Sequence, residues 1–183
     1  IANKLGLDRS NVILGNGSNE IIEFIGHAFL RPGDEVITAR HAFAVYSLMS
    51  QLFGARSVEV PDPGYTHDLE AMAAAITPRT RQIFITNPNN PTGTMVSQEA
   101  IDRFMAKVPD HVLVIFDEAY YEFVDNPPDV LKYVREGRHV VVMRTFSKIQ
   151  GLANLRIGYG LAPKEVAEVL QKTRQPFNAN GIA

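Results

Sequence analysis

Thr145-Phe146-Ser147-Lys148-Ile149-Gln150-Gly151-Leu152-Ala153-Asn154-Leu155-Arg156 is the stretch that decides this chain. A strand-like run, His139 to Met143, leads into it, and a second, Ile157 to Leu161, leaves it. One lysine follows a buried strand, with Thr145 and Ser147 just before it and Arg156 a short loop later. A placed lysine amine forms a Schiff base with a carbonyl. Hydroxyls and a guanidinium suit a phosphate ester. Together they describe a site for one small molecule that carries both groups. The same residues also describe a solvated loop with a surface Lys and Arg, so the rest of the chain has to choose.

Outward from that loop, strand and helix patterns alternate. Strand-like runs fall at Val12–Leu14, Glu35–Thr38, Arg56–Val60, Gln82–Thr86, Val112–Phe116, His139–Met143 and Ile157–Leu161. Helical stretches fall at Ile1–Leu7 with a cap at Gly6, Ile21–Leu30, Val45–Phe53, from the cap Asp68 through Ile76, from the cap Ser97 to Lys107, after Asn126-Pro127-Pro128-Asp129, and from Pro163 to Lys172. Alternation of this kind predicts an α/β fold of three layers, with a mainly parallel seven-stranded sheet and helices on both faces. Only a short loop separates Met143 from Ile157, so the last strand is expected to run antiparallel, at or near an edge. No repeat or linker divides the chain, and residues 1–183 read as one domain.

Composition narrows the function. With 183 residues, 45% hydrophobic and 21% charged, the chain supports one full core. A net charge of −2 gives no basic surface for nucleic acid. The absence of cysteine excludes a disulfide scaffold and a thiolate metal site, and it fits a reducing, cytoplasmic setting. No apolar run reaches membrane-spanning length and no signal peptide is visible. The five histidines lack metal-ligand spacing. The sequence opens on Ile1 inside a helical pattern, and both ends are expected to be cut from a longer protein.

Two further stretches carry chemistry. Gly15-Asn16-Gly17-Ser18-Asn19-Glu20 sets two glycines and a Ser at a cap position before an apolar helix. Free backbone N–H groups at such a start bind phosphate, although a bare cap has the same pattern. Glu20 stands where the dinucleotide fingerprint G-x-G-x-x-G needs its third glycine. Asp117 follows five apolar residues, a strand-end position where α/β sheets place ligand groups, or where a carboxylate merely caps or pairs.

Taken in order, Gly15 to Glu20, Asn87-Pro88-Asn89-Asn90-Pro91-Thr92-Gly93, Asp117-Glu118-Ala119-Tyr120 and Thr145-Phe146-Ser147-Lys148 with Arg156 resemble the fold-type I aminotransferases that depend on pyridoxal phosphate. The similarity is greatest to the histidinol-phosphate aminotransferase group and spans nearly the whole chain. The resemblance implies that Lys148 holds pyridoxal phosphate as a Schiff base and then moves protons. It implies that Asp117 faces the pyridine nitrogen, that Asn90 and Tyr120 bond the phenolic oxygen, and that Phe43 stacks on the ring. The phosphate is then expected between Gly17, Ser18 and Asn19 on one side and Thr145, Ser147 and Arg156 on the other. Lys148, Asp117 and Tyr120 are the expected catalytic residues. Asn178 falls in a segment that approaches the substrate in relatives. Two departures stand out: Phe43 where the family often has Tyr, and Asn19 where it often has Asp.

By the same resemblance, an N-terminal arm and a smaller C-terminal domain lie outside these residues, a homodimer builds the full site, and the substrate clamps are elsewhere. The implied reaction is transfer of an amino group from histidinol phosphate or an amino acid to a 2-oxo acid such as 2-oxoglutarate. The rivals are an aromatic amino acid aminotransferase, a decarboxylase of an amino-acid phosphate using the same cofactor, and a domain that binds the cofactor without turnover.

Overall fold

The computed structural model describes residues 1–183. Seven strands form one sheet: β1 (Val12–Asn16), β2 (Glu35–Ala39), β3 (Arg56–Val60), β4 (Thr80–Thr86), β5 (Leu113–Asp117), β6 (Val140–Thr145) and β7 (Ile157–Leu161). Their order across the sheet is β1-β7-β6-β5-β4-β2-β3. Neighbours from β6 through β3 pair in parallel. β7 is antiparallel to both β1 and β6 and lies one strand in from the edge. Between β6 and β7 the chain has room for one 3₁₀ turn, Ala153–Leu155, and none for the helix that a parallel return requires.

The sequence explains the layers. Every residue of β5 and β6 is buried, and both are runs of branched apolar side chains, as expected of strands covered on two faces. One face carries α2 (Ser18–Phe29), α3 (Val45–Leu52) and α7 (Lys164–Thr173), whose Ile21, Ile25, Tyr46 and Leu170 pack on Ile115 and Val141. The other carries α4 (Leu69–Ala74), α5 (Gln98–Met105) and α6 (Leu131–Arg135), whose Met72, Phe104 and Val134 pack on Ile83, Val114 and Val142. The expected caps form: Asp68 Oδ1 accepts from the Ala71 amide at 2.9 Å, and Ser97 Oγ from the Ala100 amide at 3.2 Å. A short first helix, α1 (Ala2–Leu5), ends at Gly6 in the left-handed region.

Some boundaries differ from the pattern. β1 continues through Gly15 and Asn16, so the helix cap is Gly17, and Ser18 is the first helical residue rather than the cap. Pairing with β7 as far as Asn16–Ile157 draws these polar residues into the strand. β5 and β6 likewise extend to Asp117 and Thr145.

Two glycines make this corner possible. A Cβ on Gly158 of β7 would lie 2.4 Å from the Ser18 nitrogen, and one on Gly17 would lie 2.4 Å from Arg156 Nη2. Gly17 also has φ +76°, a conformation that suits glycine. The chain leaves β2 for β3 on one side and returns to β4 on the other. A crevice opens outside the carboxyl ends of the strands where the order reverses in this way.

Candidate active site

At those carboxyl ends lies a cavity of about 550 Å³. Ser18, Asn19, Phe43, Asn90, Asp117, Tyr120, Thr145, Ser147, Lys148 and Arg156 all line it. Gly17 does not line it but packs against the Arg156 guanidinium, so it shapes the wall from behind. Five loops at one end of the sheet therefore bring together the residues expected to meet the cofactor.

Asp117 ends a strand that is buried throughout and is itself 5% exposed. Tyr46 donates its hydroxyl proton to Asp117 Oδ2 at 2.6 Å, and the Ala119 amide donates to Oδ1 at 3.1 Å. Burial raises the Asp117 carboxyl above its ordinary range, against those two hydrogen bonds and the charge of Lys148. A buried carboxylate in this state calls for a cationic or N–H partner from the cavity.

Lys148 sits on the loop after β6, where the Gly151 amide donates to its carbonyl at 2.9 Å. The side chain is exposed on the cavity rim, with Nζ 5.0 Å from the centre of the Tyr120 ring. The amine placed there by the sequence is open to solvent. Tyr120 reaches the same space because the chain coils after β5 into a 3₁₀ turn, Tyr121–Phe123.

The opposite wall is rich in donors and holds one cation, Arg156, with the α2 carboxylates Glu20 and Glu23 also on the cavity. Helix α2 starts at the cavity, and the first-turn amides of a helix have no acceptor within it. Thr145 Oγ1 accepts from the Ser147 amide at 3.1 Å and lies 3.0 Å from Ser147 Oγ, which fixes both hydroxyls at the end of β6. Arg156 has φ +49° and ψ +55°, left-handed values that cost a non-glycine residue energy. Its carbonyl accepts from the Gly17 amide at 3.0 Å, which ties the strained residue to the helix start. Its Nη1 donates to Ala153 O at 3.1 Å.

Asn90 is carried by a turn pinned from within. Asn87 exchanges two hydrogen bonds with the Val96 backbone, and Asn89 Nδ2 donates to His41 O at 3.0 Å. That second bond ties the turn to the segment bearing Phe43.

Several contributors carry no signal that separates them from core or surface. Tyr46 and Thr86 line the cavity, and their hydroxyls lie 2.8 Å apart. In the sequence Tyr46 is one apolar residue in a helix start; only its three-residue spacing from Phe43 hints that the two share a face. Glu20 Oε2 accepts from the Asn16 amide and from Asn178 Nδ2, each at 2.7 Å, so Asn178 reaches the rim of the cavity. Behind Asp117, on the far side of β5, Glu118 Oε2 pairs with Arg144 Nη2 at 2.8 Å, both side chains 5% exposed. The Arg144 guanidinium lies over the Tyr121 ring at 3.7 Å. Burial raises the Glu118 carboxyl to about 7 despite that partner.

Comparison with known proteins agrees with this geometry. The family model for aminotransferase class I and II matches residues 1–183. A histidinol-phosphate aminotransferase of Akkermansia muciniphila is 59% identical over all of this chain and 51% of its own length. One from Moorella thermoacetica is 50% identical over all of this chain and 48% of its own. Among solved structures, the histidinol-phosphate aminotransferase of Sinorhizobium meliloti in complex with pyridoxal-5'-phosphate superposes with a TM-score of 0.89 at 30% identity. That match covers 95% of this chain and 48% of the other. The chain spans about half the length of the curated relatives it matches.

Proposed function

The chain belongs to the aminotransferase class I and II family, and from that premise we propose that it forms the cofactor-binding large domain of a pyridoxal-phosphate-dependent aminotransferase. The observation that carries this reading is the meeting of Lys148, Asp117 and Arg156 around one cavity. The residues fit the group. Asp117 is a buried acceptor with raised proton affinity and lacks a cationic partner in contact, which suits a ring N–H. The helix start at Gly17, with Thr145, Ser147 and Arg156 opposite, suits a phosphate dianion.

When bound, pyridoxal phosphate supplies an electron sink for the carbanion left when a substrate carbon loses its proton. The work of the protein follows from its geometry. Asp117 as the ionised acceptor would keep a proton on the ring nitrogen. Asn90 and Tyr120 would donate to the phenolic oxygen and favour its anion. Phe43 would cover one ring face, without the hydroxyl that a tyrosine would bring. Lys148 would hold the cofactor through its amine, and its Nζ, when free, would take the proton from the substrate α-carbon and deliver it to the cofactor carbon that carried the carbonyl. Arg156 and the α2 start would anchor the phosphate and so keep the cofactor within reach of Lys148.

Histidinol phosphate is the substrate favoured by the names of the relatives, and we pair it with a 2-oxo acid such as 2-oxoglutarate. Those names also favour transamination over decarboxylation of an amino-acid phosphate. We place the enzyme in the cytoplasm as a homodimer, with a further domain completing the substrate side.

Adding pyridoxal phosphate, reducing with borohydride and mapping the product by mass spectrometry tests the assignment. The expected label is stoichiometric and on Lys148, and it is absent in Lys148→Ala. Equal labelling of scattered lysines in the folded protein rejects it.

A further inference from the structure

We propose that Tyr46 is a positioning residue for Asp117, holding the carboxylate as an acceptor turned toward the cavity. The role as acceptor for the cofactor rests on the reading above, but the hydrogen bond itself belongs to the protein.

Tyr46 is 1% exposed, and its ring is clamped. It stacks on Phe84 with centroids 4.3 Å apart and planes 13° from parallel, and it meets Phe43 edge-on at 5.6 Å. The clamp leaves the hydroxyl one place to go, between Thr86 Oγ1 and Asp117 Oδ2. A phenol has a single proton, and the ionised carboxylate can only accept. The proton therefore goes to Asp117, and the Thr86 hydroxyl donates to the Tyr46 oxygen. This makes a directed chain, Thr86 to Tyr46 to Asp117, in which each donor polarises the next.

With Oδ2 held by Tyr46 and Oδ1 by the Ala119 amide, the carboxylate cannot rotate, and each oxygen retains a free lone pair. The same ring touches Phe43, so the aromatic cover of the cavity and its buried acceptor share one support. Replacement of Tyr46 by Phe keeps the stacking area and removes the donor alone.

The charges that face Asp117 fix the sign of the effect. Lys148, from the loop after β6, and the Tyr46 hydroxyl, from α3, favour its ionised form. Glu118, the next residue, is a like charge, itself paired with Arg144. Tyr120 lies close enough to Tyr46 to share its field, and His67, against the Thr86 backbone, is kept neutral by burial. Loss of the Tyr46 donor leaves burial less opposed, so Asp117 becomes a weaker acid.

The test is the pH titration of the Asp117 carboxyl carbon by 13C NMR in the ligand-free protein. Asp117→Asn assigns the signal, and the melting temperature controls for folding. Tyr46→Phe is expected to move the midpoint up by about one pH unit, a tenfold gain in proton affinity, because hydrogen bonds to charged groups are the strong ones. Thr86→Val is expected to move it the same way by less, and it serves where Tyr46→Phe does not fold. In parallel, the pyridoxal phosphate dissociation constant of Tyr46→Phe is expected to rise about tenfold. A midpoint that stays put in the folded variants overturns the proposal. Failure of the wild-type protein to take up pyridoxal phosphate counts against the cofactor reading, and the carboxyl titration still decides the role of Tyr46.

Discussion

Arg156 shows how much one side chain is asked to do. It occupies left-handed backbone, its carbonyl anchors the Gly17 amide, and its guanidinium faces the helix start. A planar fork can bind a phosphate through two parallel hydrogen bonds, whereas an ammonium acts as a point charge. Arg156→Lys therefore keeps the charge and the backbone and loses the fork. Its affinity for pyridoxal phosphate is expected to fall about tenfold, with an unchanged melting temperature, as read by fluorescence titration. An unchanged affinity places the phosphate elsewhere. At this scale the sequence was informative where chemistry is rare: a lysine after a buried strand, an aspartate ending one, an arginine beyond. Tyr46 was silent because a core tyrosine and a tyrosine that holds a carboxylate are spelled alike. Only the reach of the Tyr46 hydroxyl to Thr86 and Asp117 distinguishes them.

Between elements, the pair Glu118–Arg144 ties the ends of β5 and β6, and so fixes the spacing of Asp117 from Thr145. The two partners respond differently to being left alone. A buried Glu can take up a proton, but a buried Arg cannot release one in this range. Glu118→Met leaves the Arg144 charge buried and is thus expected to cost about 3–5 kcal/mol at pH 6, and less at pH 8, where the folded wild type no longer gains from the raised carboxyl. Arg144→Met should cost less at pH 6, where Glu118, with its carboxyl raised to about 7, is largely protonated already.

The sign follows from linkage. A carboxyl raised in the folded state contributes stability below its unfolded value of 4.5, and that contribution is lost as pH rises through about 7. Removing the cation pushes the titration higher, so the deficit of Arg144→Met grows toward pH 8. Urea denaturation at the two pH values measures both variants; equal costs for Arg144→Met at pH 6 and 8 contradict the account. Strand order in sequence and strand type were readable from apolar runs and turn residues. The exact ends were not, because pairing with β7 extends β1 and β6 into polar residues that a pattern assigns to loops.

For the whole molecule, burial is steeply graded across the sheet. β5 and β6 are buried throughout, while edge strand β3 mixes Arg56, Ser57 and Glu59 with Val58 and Val60 and buries only Val60 fully. Local opening draws on regions with few buried contacts. Hydrogen exchange by mass spectrometry is expected to find the amides of Leu113–Phe116 and Val140–Met143 slowest and those of Arg56–Val60 far faster. Comparable protection at centre and edge would contradict a sheet built in this order. The three-layer plan was legible from alternation, since buried parallel strands and amphipathic helices leave different marks. Placement of β1 was not, as nothing local tells a first strand that its partner comes near the end.

That last feature has a consequence in time. Asn11 Nδ2 bonds the carbonyl of Ala162, 151 residues further along the chain, and β1 has β7 as its neighbour in the sheet. A ribosome adds roughly 5–20 residues each second. For many seconds of synthesis, therefore, β1 and the helix start behind it wait unpaired while the middle of the sheet is made. Only when Ile157–Leu161 emerges does Arg156 arrive beside Gly17. The anion cradle forms after the middle of the sheet, and a nascent chain has no place for a phosphate until β7 has joined β1.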